Sequence, residues 1–241
     1  FSLSLYTYAT AKLFVPLLLM GFAALYRKEL WREKRSVIKA TAVFLVVALP
    51  LLYASVFDAE AANARFDSVS VFHSKNWVET AAIGYGKYFD FNYLFVSGDR
   101  LLTHSADGLP QIPLFALPLC ALAIALFVFR SPVRSFVRSF VRSFVRFPFH
   151  PSKEKLFLLW WLVAFPVAGA LTLPAPHALR GTTLTPLLQI LAAFAFVAVI
   201  DFAWKKRSFA QGKLAAVVLA LILVAGAFSV VSQLDYYYNV F

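Results

Sequence analysis

The chain has 241 residues, 61% of them hydrophobic and only 15% charged, with a net charge of +11 and a mean hydropathy of +0.74. Soluble globular domains carry about 25% charged residues, so the composition excludes an ordinary soluble domain and predicts a membrane protein. A single cysteine, Cys120 in an apolar run, excludes an internal disulfide and a cysteine-rich metal site and reads as a small buried hydrophobe.

The first residue is Phe1, and no basic start with a short apolar run and a small-residue cleavage site follows. The expectation is a fragment of a larger chain, with residues 1–241 forming a single transmembrane domain. Six apolar segments approach the ~20 residues that a helix needs to cross ~30 Å of hydrocarbon. They run from Thr7 to Tyr26, Ile38 to Phe57, Ile112 to Phe129, Leu156 to Leu173, Leu184 to Trp204 and Leu214 to Leu234. The predicted fold class is therefore all-α: a polytopic membrane protein of about six transmembrane helices, with a long external loop that contains an interfacial helix.

At the start of the first span, in "LYTYATAKLFVPLL", Tyr8 and Lys12 are four apart. On one helix face a phenol and an ammonium could both reach an anionic headgroup. The same residues equally suit an interfacial aromatic belt with a snorkelling lysine.

The connections alternate in charge. The segments Arg27 to Lys39, Arg130 to Lys155 and Lys205 to Lys213 hold six, seven and four of the chain's 23 Lys and Arg. Residues 58–111 hold four and the link from Pro174 to Thr183 holds one. Basic connections stay cytoplasmic, so both chain ends are expected outside. Residues 58–111 become an external loop, and residues 130–155 a basic cytoplasmic loop.

The external loop is long enough to carry function or structure of its own. It contains seven acidic residues: Asp58, Glu60, Asp67, Glu79, Asp90, Asp99 and Asp107. Strand-like alternation runs from Asp67 to Phe72, and a helix is expected from Trp77 to Phe89. The rings of Trp77, Tyr85, Tyr88, Phe89, Phe91, Tyr93 and Phe95 suit an element at the membrane surface, either as an anchor or as a sugar-stacking platform. In "SGDRLLTH", Arg100 and His104 could meet one phosphate, or Asp99 and Arg100 could simply close a local turn.

Between the third and fourth spans lies "VRSFVRSFVRSFVR", three copies of Val-Arg-Ser-Phe and then Val145 and Arg146. As a helix, Arg134, Arg138 and Arg142 would drift by only about 40° per step. They would form a slanting stripe beside Phe136, Phe140 and Phe144 that could rest on anionic inner-leaflet lipid. The alternative is a duplicated tetrapeptide tolerated in a cytoplasmic loop. No nucleic-acid-binding fold accompanies the run, so nucleic acid is not an expected partner.

The short external link "LPAPHALRGTTLTP" carries His177 and Arg180. Arg suits phosphate because its planar fork makes two charge-assisted hydrogen bonds at once; alternatively, it reaches outer-leaflet headgroups. Asp201, four residues before Lys205, is expected to pair with the basic cluster that follows it. His73, His104, His150 and His177 are too scattered in sequence to define a metal site, and no HExxH, GxSxG, GxxxxGK or GxGxxG occurs.

Four stretches, "SLYTYATAKLFVPLLL", "RFDSVSVF", "YFDFNYLFVSGDRLLTHSADGLPQIPLF" and "PHALRGTTLTPLLQILAA", together with the alternating topology, resemble the C-terminal part of a bacterial integral-membrane glycosyltransferase of the GT-C class. The likeness is to the group of protein O-mannosyltransferases and aminoarabinose transferase. It implies a cavity at the outer face of the bacterial inner membrane, formed by spans, external loops and interfacial helices. There a sugar would pass, with inversion, from a polyprenyl-phosphate carrier to an acceptor hydroxyl or lipid.

The resemblance places the catalytic base in an acidic motif ahead of the region matched here. Tyr8, Lys12, Arg100, His104, His177 and Arg180 fall where the donor phosphate or sugar would be held. Lys12 stands where family members often carry Arg. Asp99 would hold Arg100 or meet the sugar, without serving as the base. The acceptor, and a divalent metal in the complete enzyme, are left open. Two other classes compete: a transporter or flippase of an anionic lipid, disfavoured by span centres almost without charge, and a non-catalytic membrane subunit.

Overall fold

Each of the six apolar segments is a helix in the computed structural model, which describes residues 2–57, 66–99, 101, 109–128, 153–204 and 209–239. In chain order the helices are α1 (Ala9–Leu25), α2 (Arg27–Arg32), α3 (Lys34–Phe57), α4 (Trp77–Lys87), α5 (Phe91–Phe95), α6 (Ala116–Val128), α7 (Lys153–Ala170), α8 (Ala178–Gly181), α9 (Thr185–Trp204) and α10 (Phe209–Asn239). Short 3-10 turns cover Leu3–Tyr6, Val71–His73 and Thr182–Leu184. The fold is all-helical, and no strand occurs among the described residues. The alternation at 67–72, read as strand-like, instead forms a helical turn at 66–69 and then the 3-10 turn. Its extended part is a single antiparallel bridge between Ser70 and Thr172.

Two helices, Lys34–Phe57 and Ala178–Ile200, are long and apolar enough to cross a membrane by length and composition, while Ala9–Leu25, Ala116–Ala125 and Ala220–Tyr236 are shorter apolar helices. Helix α7 opens on Lys153, Glu154 and Lys155, so its apolar run begins only at Leu156. In α3 the buried residue is Ala48. Val46 is 71% exposed and Val56 69%, and Ile38, Val43, Leu49, Leu52 and Tyr53 are exposed with them. A helix that is apolar on every side belongs in a large protein core or in lipid.

The chain divides into two compact units, the first made of Phe1–Asp90 and Pro151–Leu184. Its centre is the contact of α1 with α7. The Trp160 indole N–H donates to the Leu17 carbonyl at 2.8 Å, and the ring lies where a methyl group on Gly21 would be. Aromatic pairs Phe14–Trp161 and Phe22–Phe157 flank this point. Because residue numbers rise along α1 as they fall along α7, the two helices are antiparallel.

Two prolines inside helices meet tyrosines from elsewhere in this unit. Pro50 lies in α3 and Pro166 in α7. Proline lacks an N–H and its ring pushes on the preceding turn, which turns carbonyls outward. The Tyr6 hydroxyl donates to the Val47 carbonyl at 2.6 Å, and the Tyr85 hydroxyl donates to the Val163 carbonyl at 3.0 Å. Each accepting carbonyl stands three residues before its proline. Burial pushes the Tyr85 phenol up from its ordinary value.

At the far end of the α1–α7 pair, the Lys153 ammonium is ion-paired with Glu29 and lies 5.7 Å from the centre of the Tyr26 ring. The hydrogen bond from Lys153 holds the Glu29 carboxyl below the usual carboxylate range. The pairing is therefore intact above that range and is lost as pH falls through the depressed value.

The second unit comprises Phe91–His150 and Thr185–Phe241. Leu119 and Ala123 of α6 bury against Ala195 of α9, with Leu122, Leu191, Ala192 and Ile222 around them. Helix α10 otherwise exposes Leu221, Val224, Phe228 and Val231.

Gly21→Ala tests the α1–α7 seam. A gain in helix propensity of up to ~1 kcal/mol is outweighed by overlap with a ring that its hydrogen bond holds in place, for a net loss of about 1–3 kcal/mol. We expect a lower Tm in detergent for Gly21→Ala, and a much smaller cost for the same change in a Trp160→Ala background. Additive effects would disprove the contact.

Candidate functional site

The antiparallel seam decides which sequence stretches share an end. The N-terminus of α1, with Tyr8 and Lys12, lies at the same end of the pair as the C-terminus of α7, where the chain runs through Leu171–Pro176 into His177 and Arg180. Four of the expected site residues belong to the segments at that end.

Tyr8 is not on the helix but precedes it. Its backbone is extended, with φ −155° and ψ 147°, and its side chain makes no capping bond. Tyr8 and Lys12 are therefore not spaced along one helical face; Lys12 alone sits in the opening turns, exposed. The N–H groups of that first turn carry the partial positive charge of a helix N-terminus.

His177 occupies the equivalent place before α8, with φ −140° and ψ 129°. It is 4% exposed. Its backbone N–H donates to the Tyr88 hydroxyl at 3.2 Å. Tyr88 is fully buried, edge-on to Phe165, and its hydroxyl fills the space where a side chain on Gly169 would be. Gly84 of α4 comes close to Ala170 and Ala175. The "AAIGYGKYFDF" helix thus packs directly under the "LPAPHALRG" link.

The link is also tied to the "RFDSVSVF" stretch. Val71 N–H donates to Leu171 O at 3.1 Å and Leu173 N–H to Val69 O at 2.6 Å. The peptide bonds Leu173–Pro174 and Ala175–Pro176 are cis. Arg180 donates from Nη1 to the Pro174 carbonyl at 3.0 Å, which uses one of its five donors and leaves the rest of the fork available. Neither Lys12 nor Arg180 is ion-paired among the described residues. Two unneutralised cations and an uncapped helix N-terminus at one end are chemistry suited to an anion such as a phosphate.

Asp99, in the second unit, is 4% exposed, and its Oδ1 accepts from the Leu101 N–H at 3.0 Å. It is a turn-closing aspartate. Gly98 beside it has φ +68°, and the Leu109 carbonyl packs where a side chain would stand. The turn is closed further by Ser97 N–H to Asn92 O at 2.8 Å and Ile112 N–H to Leu94 O at 2.8 Å. Arg100, His104, and the repeat arginines Arg134, Arg138 and Arg142 lie outside the described residues. The Asp201 side chain is likewise outside them. No group of three or more His, Cys, Asp or Glu able to hold a metal occurs among the described residues.

Tyr88 is the site residue that sequence reasoning passed over, because a tyrosine in a run of aromatic residues looks like a surface anchor. Only Gly169, 81 positions away in sequence, makes room for it. Tyr88→Phe, which keeps the ring and removes the acceptor for His177, should cost about 1 kcal/mol in thermal unfolding. Gly169→Ala should cost more, and the Tyr88→Phe change should relieve part of that cost. If Gly169→Ala is equally harmful with and without the hydroxyl, the assigned contact is wrong.

Comparison with protein-family models, with curated proteins and with solved structures finds no match to this chain.

Proposed function

We propose that the chain is the membrane-embedded part of a glycosyltransferase that takes a sugar from a polyprenyl-phosphate carrier at the external face of a bacterial inner membrane. The six apolar helices are read as spans, with both chain ends outside and residues 27–39, 130–155 and 205–213 in the cytoplasm. The observation that carries the reading is that "YATAK" and "PHALRG" stand at the same end of the antiparallel α1–α7 pair, the end that the charge asymmetry assigns to the outside. The exposed apolar circumference of α3 supports a lipid surround. Burying each such side chain is worth about 1.5–3 kcal/mol, too much to leave against water along a whole helix.

In this reading Lys12 and Arg180 hold the carrier's phosphate, and the electrostatic stabilisation they supply grows as the leaving group gains charge. His177 and Tyr88 position Arg180 by fixing the start of α8. The acceptor oxygen attacks the anomeric carbon as the bond from that carbon to the phosphate oxygen breaks. The configuration inverts, and the acceptor's proton passes to a carboxylate outside this chain.

Charge-assisted hydrogen bonds are worth about 1.5–3 kcal/mol each. Arg180→Ala and Lys12→Ala in the full-length protein should therefore each weaken binding of a polyprenyl-phosphate sugar by roughly 10- to 100-fold, and transfer should fall with it. Undiminished binding and transfer in both variants would sink the phosphate assignment. Orientation has its own test. In a Cys120→Ala background, a membrane-impermeant maleimide should label Thr182→Cys in intact spheroplasts and Ser139→Cys only after permeabilisation; the reverse pattern would overturn the topology.

A further inference from the structure

The opposite end of the α1–α7 pair carries a second feature, which neither the sugar-transfer reading nor the sequence motifs use. Between the two helices runs an apolar groove of about 490 Å³, lined on α1 by Met20, Gly21, Ala24 and Leu25 and on α7 by Leu156, Leu159, Trp160 and Val163. Its size falls within the roughly 300–1,000 Å³ of small-molecule pockets. Trp160 floors it with its ring only, because the indole N–H is turned away onto Leu17 O. Gly21 is what lets the ring come this close to α1. Met20, Leu156, Leu159 and Val163 are exposed, so the groove is open along its length.

One end of this groove is strongly polar. Leu25 is followed by Arg27, Lys28 and Glu29, and Leu156 is preceded by Lys153, Glu154 and Lys155. These six residues carry four positive and two negative charges. Glu29 is engaged by Lys153, and Lys153 also covers Tyr26. Arg27 and Lys28 are exposed and make no ion pair among the described residues. An apolar channel that leads to a cluster with surplus positive charge is complementary to one kind of bilayer component, an acyl chain with an anionic head.

We propose that this groove binds an anionic phospholipid of the cytoplasmic leaflet, with an acyl chain lying on Trp160 and the phosphate at Arg27 and Lys28. The proposal rests on the membrane-spanning reading and is independent of the sugar-transfer reading. The site differs from a general lipid contact in selecting headgroup charge.

The test uses tryptophan fluorescence of the full-length protein in phosphatidylcholine vesicles containing a minor fraction of brominated lipid, either brominated phosphatidylglycerol or brominated phosphatidylcholine. Brominated phosphatidylglycerol should quench at least twofold more than the same fraction of brominated phosphatidylcholine. The excess should disappear in Ala24→Phe, which fills the groove from an exposed position, and in Arg27→Gln/Lys28→Gln. Quenching by brominated phosphatidylcholine should remain in all of these proteins. Equal quenching by the two lipids, or an excess that survives both variants, would overturn the site while leaving the membrane reading intact. No quenching by either lipid would overturn the membrane reading, and the site with it.

Discussion

Helix α1 can lie against α7 only because Gly21 has no side chain to displace the Trp160 ring, while the same ring reaches across to donate to Leu17. Close packing and a hydrogen bond therefore act on one side chain from neighbouring turns of the same helix. The seam sets which ends of the first unit's two central helices meet. It runs the helices antiparallel, which gathers Tyr8, Lys12, His177 and Arg180 at one end and Tyr26, Glu29 and Lys153 at the other.

The same economy of small residues and side-chain donors recurs along α7. Gly169 accommodates the Tyr88 hydroxyl, Pro166 is served by Tyr85, and Gly84 lets α4 approach Ala170. A tyrosine hydroxyl that donates three residues before a proline adds a hydrogen bond to a turn that the proline weakens. Tyrosine suits the task because its ring packs among apolar side chains while its hydroxyl supplies a single donor at the tip. Tyr6 does the same for α3 at Val47.

The described part of the candidate site was legible in unequal measure. Arg180 stood out because a lone arginine in a non-basic connection is conspicuous, and its fork does lie at the surface of the link. His177 was equally visible, yet it is buried before a short helix, and its main-chain N–H is what meets Tyr88. Asp99 carried both a turn-closing and a ligand reading; its bond to the Leu101 N–H is the turn. The "RFDSVSVF" alternation misled because a period of two describes which side chains face in, not whether a neighbouring strand exists to pair with. Here a single bridge to Thr172 is all that pairs.

Sequence alone determined that the chain is helical, where its six apolar helices lie and how its charges alternate between connections. These depend on local composition: apolar runs of about 20 residues are too long for ordinary strands and read as helices, and lysines and arginines mark connections without reference to any partner. Tertiary structure alone decided that "YATAK" and "PHALRG" share an end, that Tyr88 is interior and that an apolar groove opens beside a basic cluster. Those facts depend on which glycine faces which ring, Gly21 with Trp160 and Gly169 with Tyr88. A glycine in a sequence does not announce what will fill the space it leaves.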